Sequence, residues 1–194
     1  TLLCAHEHED GEHHHHEGEE EIDEHVWTSP TNAIAIVDLI CSAMCDADKE
    51  NAEYYRENAK NYTKEIEKLR DDIKTFAQNA DCKTIVFADR FAMRYFTEEF
   101  GFEHMAAFPG CSAHAQASAK KVAEVTDFVK KHNIPTVFYA EFSDERLADS
   151  VCEATGAKKA RLHSAHNVEK DEFDLGITYL DIMKKNLETL LEAL

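Results

Sequence analysis

Apolar and polar positions divide the chain into three regimes. Residues 1 to 24 are polar and repetitive, with no hydrophobic period, and read as a disordered acidic loop. From Ser29 the segment SPTNAIAIVDLICSAMC predicts a helix, with Ser29 as cap and Pro30 in the first turn. Apolar residues fall on nearly every face of this segment through Met44, and such a helix is expected to be buried between layers. After Asp48, residues Ala52, Tyr55, Ala59, Tyr62, Ile66, Leu69, Ile73 and Phe76 recur at alternating steps of three and four. They predict one long amphipathic helix, either a coiled-coil strand or a strut between two lobes.

Beyond Asp81 short β-rich runs alternate with amphipathic helices. TIVFA (84 to 88) precedes a helix that Gly101 stops, and HMAAF (104 to 108) precedes one that starts after Ser118. PTVFYAE (135 to 141) leads to a helix from Ser143 to Thr155, and KARLH (159 to 163) to a final helix from about Asp171 to the end. Four βα units in succession imply an α/β fold, a four-stranded parallel sheet flanked by helices on both faces.

Charge narrows the partners. The chain carries 21 basic and 39 acidic side chains, a net −18, and ten of the acids lie between Glu7 and Glu24 with no cation among them. Nucleic acid and anionic membrane surfaces both need clustered Lys and Arg, so both are disfavoured, and metal cations suit this surface better. The six cysteines (Cys4, Cys41, Cys45, Cys82, Cys111, Cys152) form no CxxC pair. Cys41 and Cys45, one helical turn apart, read either as a thiolate pair or as two small core residues. No apolar run reaches the roughly 18 residues that span a bilayer. The start TLLCAHEH has neither a basic nor an apolar leader segment, so the chain is expected to be intracellular or to lack its natural start.

In an open α/β sheet, ligands bind beyond the carboxyl ends of the strands. There the sequence places Asp89 and Arg90, then Cys111 and His114 in PGCSAHAQAS, then Glu141, and finally His163 followed by His166. Any one of these is ordinarily a surface group or a helix cap. Together, imidazoles and carboxylates without paired thiolates make a ligand set for Zn²⁺, or for Mn²⁺ when carboxylates dominate. No HExxH helix, phosphate loop, GxSxG turn or Cys/His dyad appears, so no enzyme is indicated, and Glu141 is the one candidate general base for a metal-dependent hydrolase.

DEHVWTSPTNAIAIVDLI followed by NAEYYRENAKNYTKEIEKL resembles the zinc/manganese solute-binding proteins of ABC transporters, the cluster A-I family. That family carries a His/Asp/Glu-rich loop, a D-x-H-V-W-x-x-P motif whose histidine binds metal, and a long linker helix between two α/β lobes. The resemblance implies a metal site of His25, His163, His114, Glu141 and Asp89. In it His163 takes the place of the family's last acidic ligand. The family ligand near Arg90 is replaced by Asp89 or His114, and Glu141 coordinates or orients a histidine. His6, His8 and His13 to His16 would be auxiliary collectors, as His13, His14, His15 and His16 lie among acids directly before the motif.

The same resemblance divides the chain into a loop (1–24), a remnant of an N-terminal lobe (25–47), a linker helix (48–80) and a C-terminal α/β lobe (81–194). The expected role is extracytoplasmic, at the cell surface or in the periplasm: capture of Zn²⁺, or of Mn²⁺, and delivery to an ABC transporter permease. The alternative is a metal-storage or metallochaperone protein working through its histidine-rich loop. Metal release is expected below about pH 6, because neutral imidazole is the coordinating form. A helix at 31–46 without its lobe would expose apolar surface and invite self-association.

Overall fold

A computed structural model describes residues 22–108 and 119–194 of the chain. The histidine-rich segment up to residue 21, together with Cys4, Cys111 and His114, lies outside the described residues.

The elements follow the expected order. A single 3-10 turn (Val26–Thr28) leads into α1 (Pro30–Ala47) and α2 (Ala52–Asn79). Then come β1 (Thr84–Arg90), α3 (Arg94–Phe100), β2 (Glu103–Phe108), α4 (Ala119–His132), β3 (Thr136–Tyr139), α5 (Arg146–Thr155) and β4 (Lys158–Arg161). The chain closes with α6 (Lys170–Asp174) and α7 (Tyr179–Ala193). Among the described residues the four strands pair in parallel, in the order β2-β1-β3-β4.

Alternation along the strands builds the lobe. Ile85 and Phe87 of β1 face one side and join Ile66, Leu69 and Ile73 of α2, Phe96 of α3 and Met183 and Leu190 of α7. Val86 and Ala88 face the other side and join Val125 and Val129 of α4 and Val151 of α5. The period of two thus sends consecutive residues into two different cores. Because β1 lies between β2 and β3, the chain leaves β1 in one direction and returns on its other side. That reversal opens a crevice at the carboxyl ends of β1 and β3, where α/β sheets hold ligands.

Three expectations needed correction. The terminal helix is two helices, because Gly176 takes a left-handed φ of 69° and Thr178 starts α7 with its own cap. The Thr178 Oγ1 accepts from the Asp181 N–H at 3.2 Å, and the Asp181 carboxylate accepts from the Thr178 N–H at 2.9 Å. Second, α1 is not buried between layers: only Pro30, Ala33 and Cys45 are buried, while Leu39 is 71% and Ile40 54% exposed. Third, by length and composition α1 is apolar enough to cross a membrane, since a count of uninterrupted runs stops at Asp38 and Asp46. Its packing supports a helix of the fold instead, with Ile34 and Val37 against the α2 core and the Ser29 hydroxyl capping Asn32 N–H at 3.1 Å.

Candidate metal centre

The segment that carries His25 is strapped to the lobe at both ends. Tyr95 of α3 donates to the Asp23 carbonyl at 2.9 Å, and the Trp27 indole N–H donates to the Ser164 carbonyl at 2.9 Å. Tyr179 of α7 donates to the Trp27 carbonyl at 2.9 Å. Burial, with the charges of Tyr62 and Glu99 nearby, pushes the Tyr179 phenol well up, so it stays protonated as a donor. Glu99 of α3 accepts from both the Ser29 and Thr31 hydroxyls, fixing the start of α1.

Within this frame His25 is 1% exposed and its imidazole has a defined polarity. Its Nδ1 lies 2.9 Å from Asp23 Oδ1, which also accepts the His25 backbone N–H at 2.8 Å. A carboxylate only accepts, so the proton sits on Nδ1 and the Nε2 lone pair is turned away from Asp23. That Nε2 lies 3.1 Å from His166 Nδ1. Two imidazole nitrogens bound to one tetrahedral zinc at about 2.05 Å are roughly 3.3 Å apart, so the pair already stands at nearly the spacing zinc requires. Asp23, Glu24 and His25 also place ligand atoms within 4.8 Å of one another.

His25 and His166 border a crevice of about 1100 Å³ lined also by Glu24, Asp89, Arg90, Glu141, Ser164 and Asn167. It lies where the sheet reversal predicts. The Glu141 carboxylate is held by Ser164, whose backbone N–H donates at 2.8 Å and whose hydroxyl donates to the other oxygen. The Ser164 hydroxyl oxygen accepts the His166 N–H at 3.1 Å, so Glu141 fixes the turn that presents His166. Asp89 Oδ1 accepts the Arg90 N–H at 2.7 Å, and its Oδ2 accepts the Ala140 N–H at 3.4 Å. Asp89 therefore ties β1 to the end of β3.

Among the residues read from sequence, the structure brings together His25, Glu141 and Asp89 around the crevice and leaves His163 outside its lining. Asn186 clamps the His163 backbone from both sides, accepting its N–H at 2.8 Å and donating to its carbonyl at 2.7 Å. The His163 Nδ1 accepts the Ala165 N–H at 2.9 Å, and its buried Nε2 makes no hydrogen bond, lying 3.7 Å from Glu172 Oε2. Burial works to raise the Glu172 carboxyl, but the Glu169 N–H and the charges of Arg161 and His163 hold it below its ordinary value. Sequence reasoning placed His166 in this loop without choosing it. Asp23 was visible as the first residue of the D-x-H spacing, although its hold on the His25 ring was not.

Comparisons with known proteins bear on this crevice. The family whose profile matches residues 2–193 is described as zinc-uptake complex component A, periplasmic. The chain is 32% identical over 173 residues to the high-affinity zinc uptake system protein ZnuA of Bacillus subtilis, covering 89% of this chain and 54% of that protein. It is 32% identical over 194 residues to the zinc-binding lipoprotein AdcA of Streptococcus pneumoniae, covering 97% of this chain and 38% of that protein. The chain thus spans about half the length of the first relative and less of the second. Among solved structures, the metal-dependent lipoprotein YcdH of Bacillus subtilis superimposes with a TM-score of 0.78 at 31% identity, over 89% of this chain and 65% of that one. The Zn(II)-bound ZnuA-like domain of Streptococcus pneumoniae AdcA gives 0.75 at 27%, over 89% and 64%.

Proposed function

The chain belongs to the family of periplasmic zinc-uptake components, and from that premise we propose that it captures Zn²⁺ outside the cytoplasm for delivery to an ABC transporter permease. The observation that carries this reading is the His25 and His166 pair, 3.1 Å apart, with Asp23 orienting one ring. Two imidazoles facing one crevice favour zinc over manganese, which prefers oxygen ligands. A Mn-bound periplasmic metal-binding protein from candidatus liberibacter asiaticus, 25% identical with a TM-score of 0.74, keeps Mn²⁺ as the second cargo.

We read the protein as a binder and not an enzyme, because Glu141, the candidate general base, has both oxygens engaged by Ser164. In this reading residues 1–24 collect metal, 25–47 carry the site's first ligand, 48–80 form a strut and 81–194 the receiving lobe. Within the metal site, His25 and His166 act as ligands, and Asp89 and His114 are the candidates to complete the shell, whereas His163 stands outside the crevice lining. Competition against a chromogenic zinc chelator tests the proposal. One equivalent bound with affinity in the micromolar range or tighter and lost in His25→Ala is expected; a zinc stoichiometry and affinity indifferent to that change would refute it.

A second contact belongs to this proposal. Leu39, Ile40 and Met44 present exposed apolar surface on α1, and we assign them to self-association of the chain. Light scattering should show a Leu39→Glu/Ile40→Glu double variant at lower mass than the parent. Equal masses would remove the assignment.

A further inference from the structure

Cys41 and Cys45 stand one turn apart near the end of α1, with their Sγ atoms 4.0 Å from each other. Cys45 is buried as a core residue would be, whereas Cys41 is half-buried, and neither belongs to the two apolar clusters of the lobe. The Cys45 thiol donates to the Ala52 carbonyl at 3.4 Å. Two thiolates sharing one tetrahedral divalent ion, at about 2.3 Å each, stand about 3.8 Å apart. The observed spacing meets that requirement without a change of backbone, whereas a disulfide needs the sulfurs at about 2.05 Å.

The surroundings fit the same ligand. Burial and Cys45 raise the Cys41 thiol, and Asp38, one turn before it, adds a smaller push in the same sense. Arg56 of α2 acts on Cys41 in the opposite sense and offsets part of the negative charge that a dithiolate would bring. We propose that Cys41 and Cys45 form a second metal site, selective for a thiophilic d10 cation such as Zn²⁺ or Cd²⁺. Binding exchanges two S–H bonds for two S–metal bonds and releases two protons. Hard cations such as Mg²⁺ and Ca²⁺ do not compete, because they prefer oxygen ligands. Eleven residues separate Cys41 from Pro30, so the site lies about 17 Å along α1 from the turn that holds His25.

Titrating the reduced chain with Cd²⁺, and following the thiolate-to-metal charge-transfer absorbance in the ultraviolet, tests the site. One equivalent should develop the band in the parent and in His25→Ala, and Cys41→Ser and Cys41→Ala should each abolish most of it while far-ultraviolet circular dichroism stays unchanged. A parent without the band, a band undiminished in the two Cys41 variants, or a band lost in His25→Ala would overturn the proposal.

Discussion

The Nε2 of His25 faces the Nδ1 of His166 at 3.1 Å, although 141 residues separate them in the chain. With the His25 proton held on Nδ1 by Asp23, the shared proton of this contact belongs to His166. Zinc captured between the rings, as proposed, would displace that proton. His166→Ala should therefore weaken zinc binding by more than about tenfold, while His163→Ala, outside the crevice, should leave it within about twofold. Calorimetric titration of the two variants separates these outcomes.

Asp23→Asn exchanges a carboxylate for an amide that can present an N–H to the ring and stabilise the wrong tautomer. Outer partners of ligating histidines typically contribute 10- to 100-fold to affinity, and a loss of about that size is expected here. Stability should change far less, which circular dichroism during thermal unfolding would check.

Glu141 acts on His166 through Ser164. Glu141→Ala leaves the Ser164 N–H and hydroxyl without their acceptor in a part-buried place, at about 1–3 kcal/mol of stability. Zinc affinity should fall together with the urea midpoint. Lost stability with unchanged affinity would mean that the His166 turn holds itself in place.

Phe87 is 1% exposed and packs against Phe91 and Phe138 with ring centres 5.6 and 6.1 Å away. Phe87→Ala should cost about 3–5 kcal/mol, since it removes a large side chain from the centre of the sheet. Urea unfolding monitored by Trp27 fluorescence gives the value.

Acid sensitivity has one structural source at the sheet edge. His104, exposed overall, stacks on Phe91 with centroids 4.1 Å apart, and desolvation of the covered ring face, aided by the Arg94 charge, pulls its pKa below the ordinary 6.5. The unfolded chain therefore binds this proton more readily than the folded one, so stability declines as pH drops below about 6.5 and is fully present above it. His104→Phe should flatten the fall in thermal midpoint between pH 7 and pH 5.5.

The βα order, the parallel sheet and the place of the crevice were legible because period-two and period-3.6 patterns separate cleanly after Asp81. The environment of α1 was not, since an apolar circumference states that a helix avoids water without saying what covers it. His25 was legible from D-x-H-V-W. The choice between His163 and His166 was not, because Ala165 adopts a left-handed φ of 57°, a conformation alanine does not advertise. That turn, together with the Asn186 clamp, decides which imidazole meets the crevice.

The straps from Tyr95, Ser164 and Tyr179 hold the Asp23–Trp27 segment on the lobe, so that a captured ion would become part of the architecture. Because the two imidazoles come from segments 141 residues apart, an unfolded chain has no pair to offer, and metal and fold become linked equilibria. Free zinc at a hundred times its dissociation constant would raise the unfolding free energy by about 2.7 kcal/mol. The ion would thus act as a reversible staple across the chain, and each delivery would leave behind a measurably softer protein until the next capture.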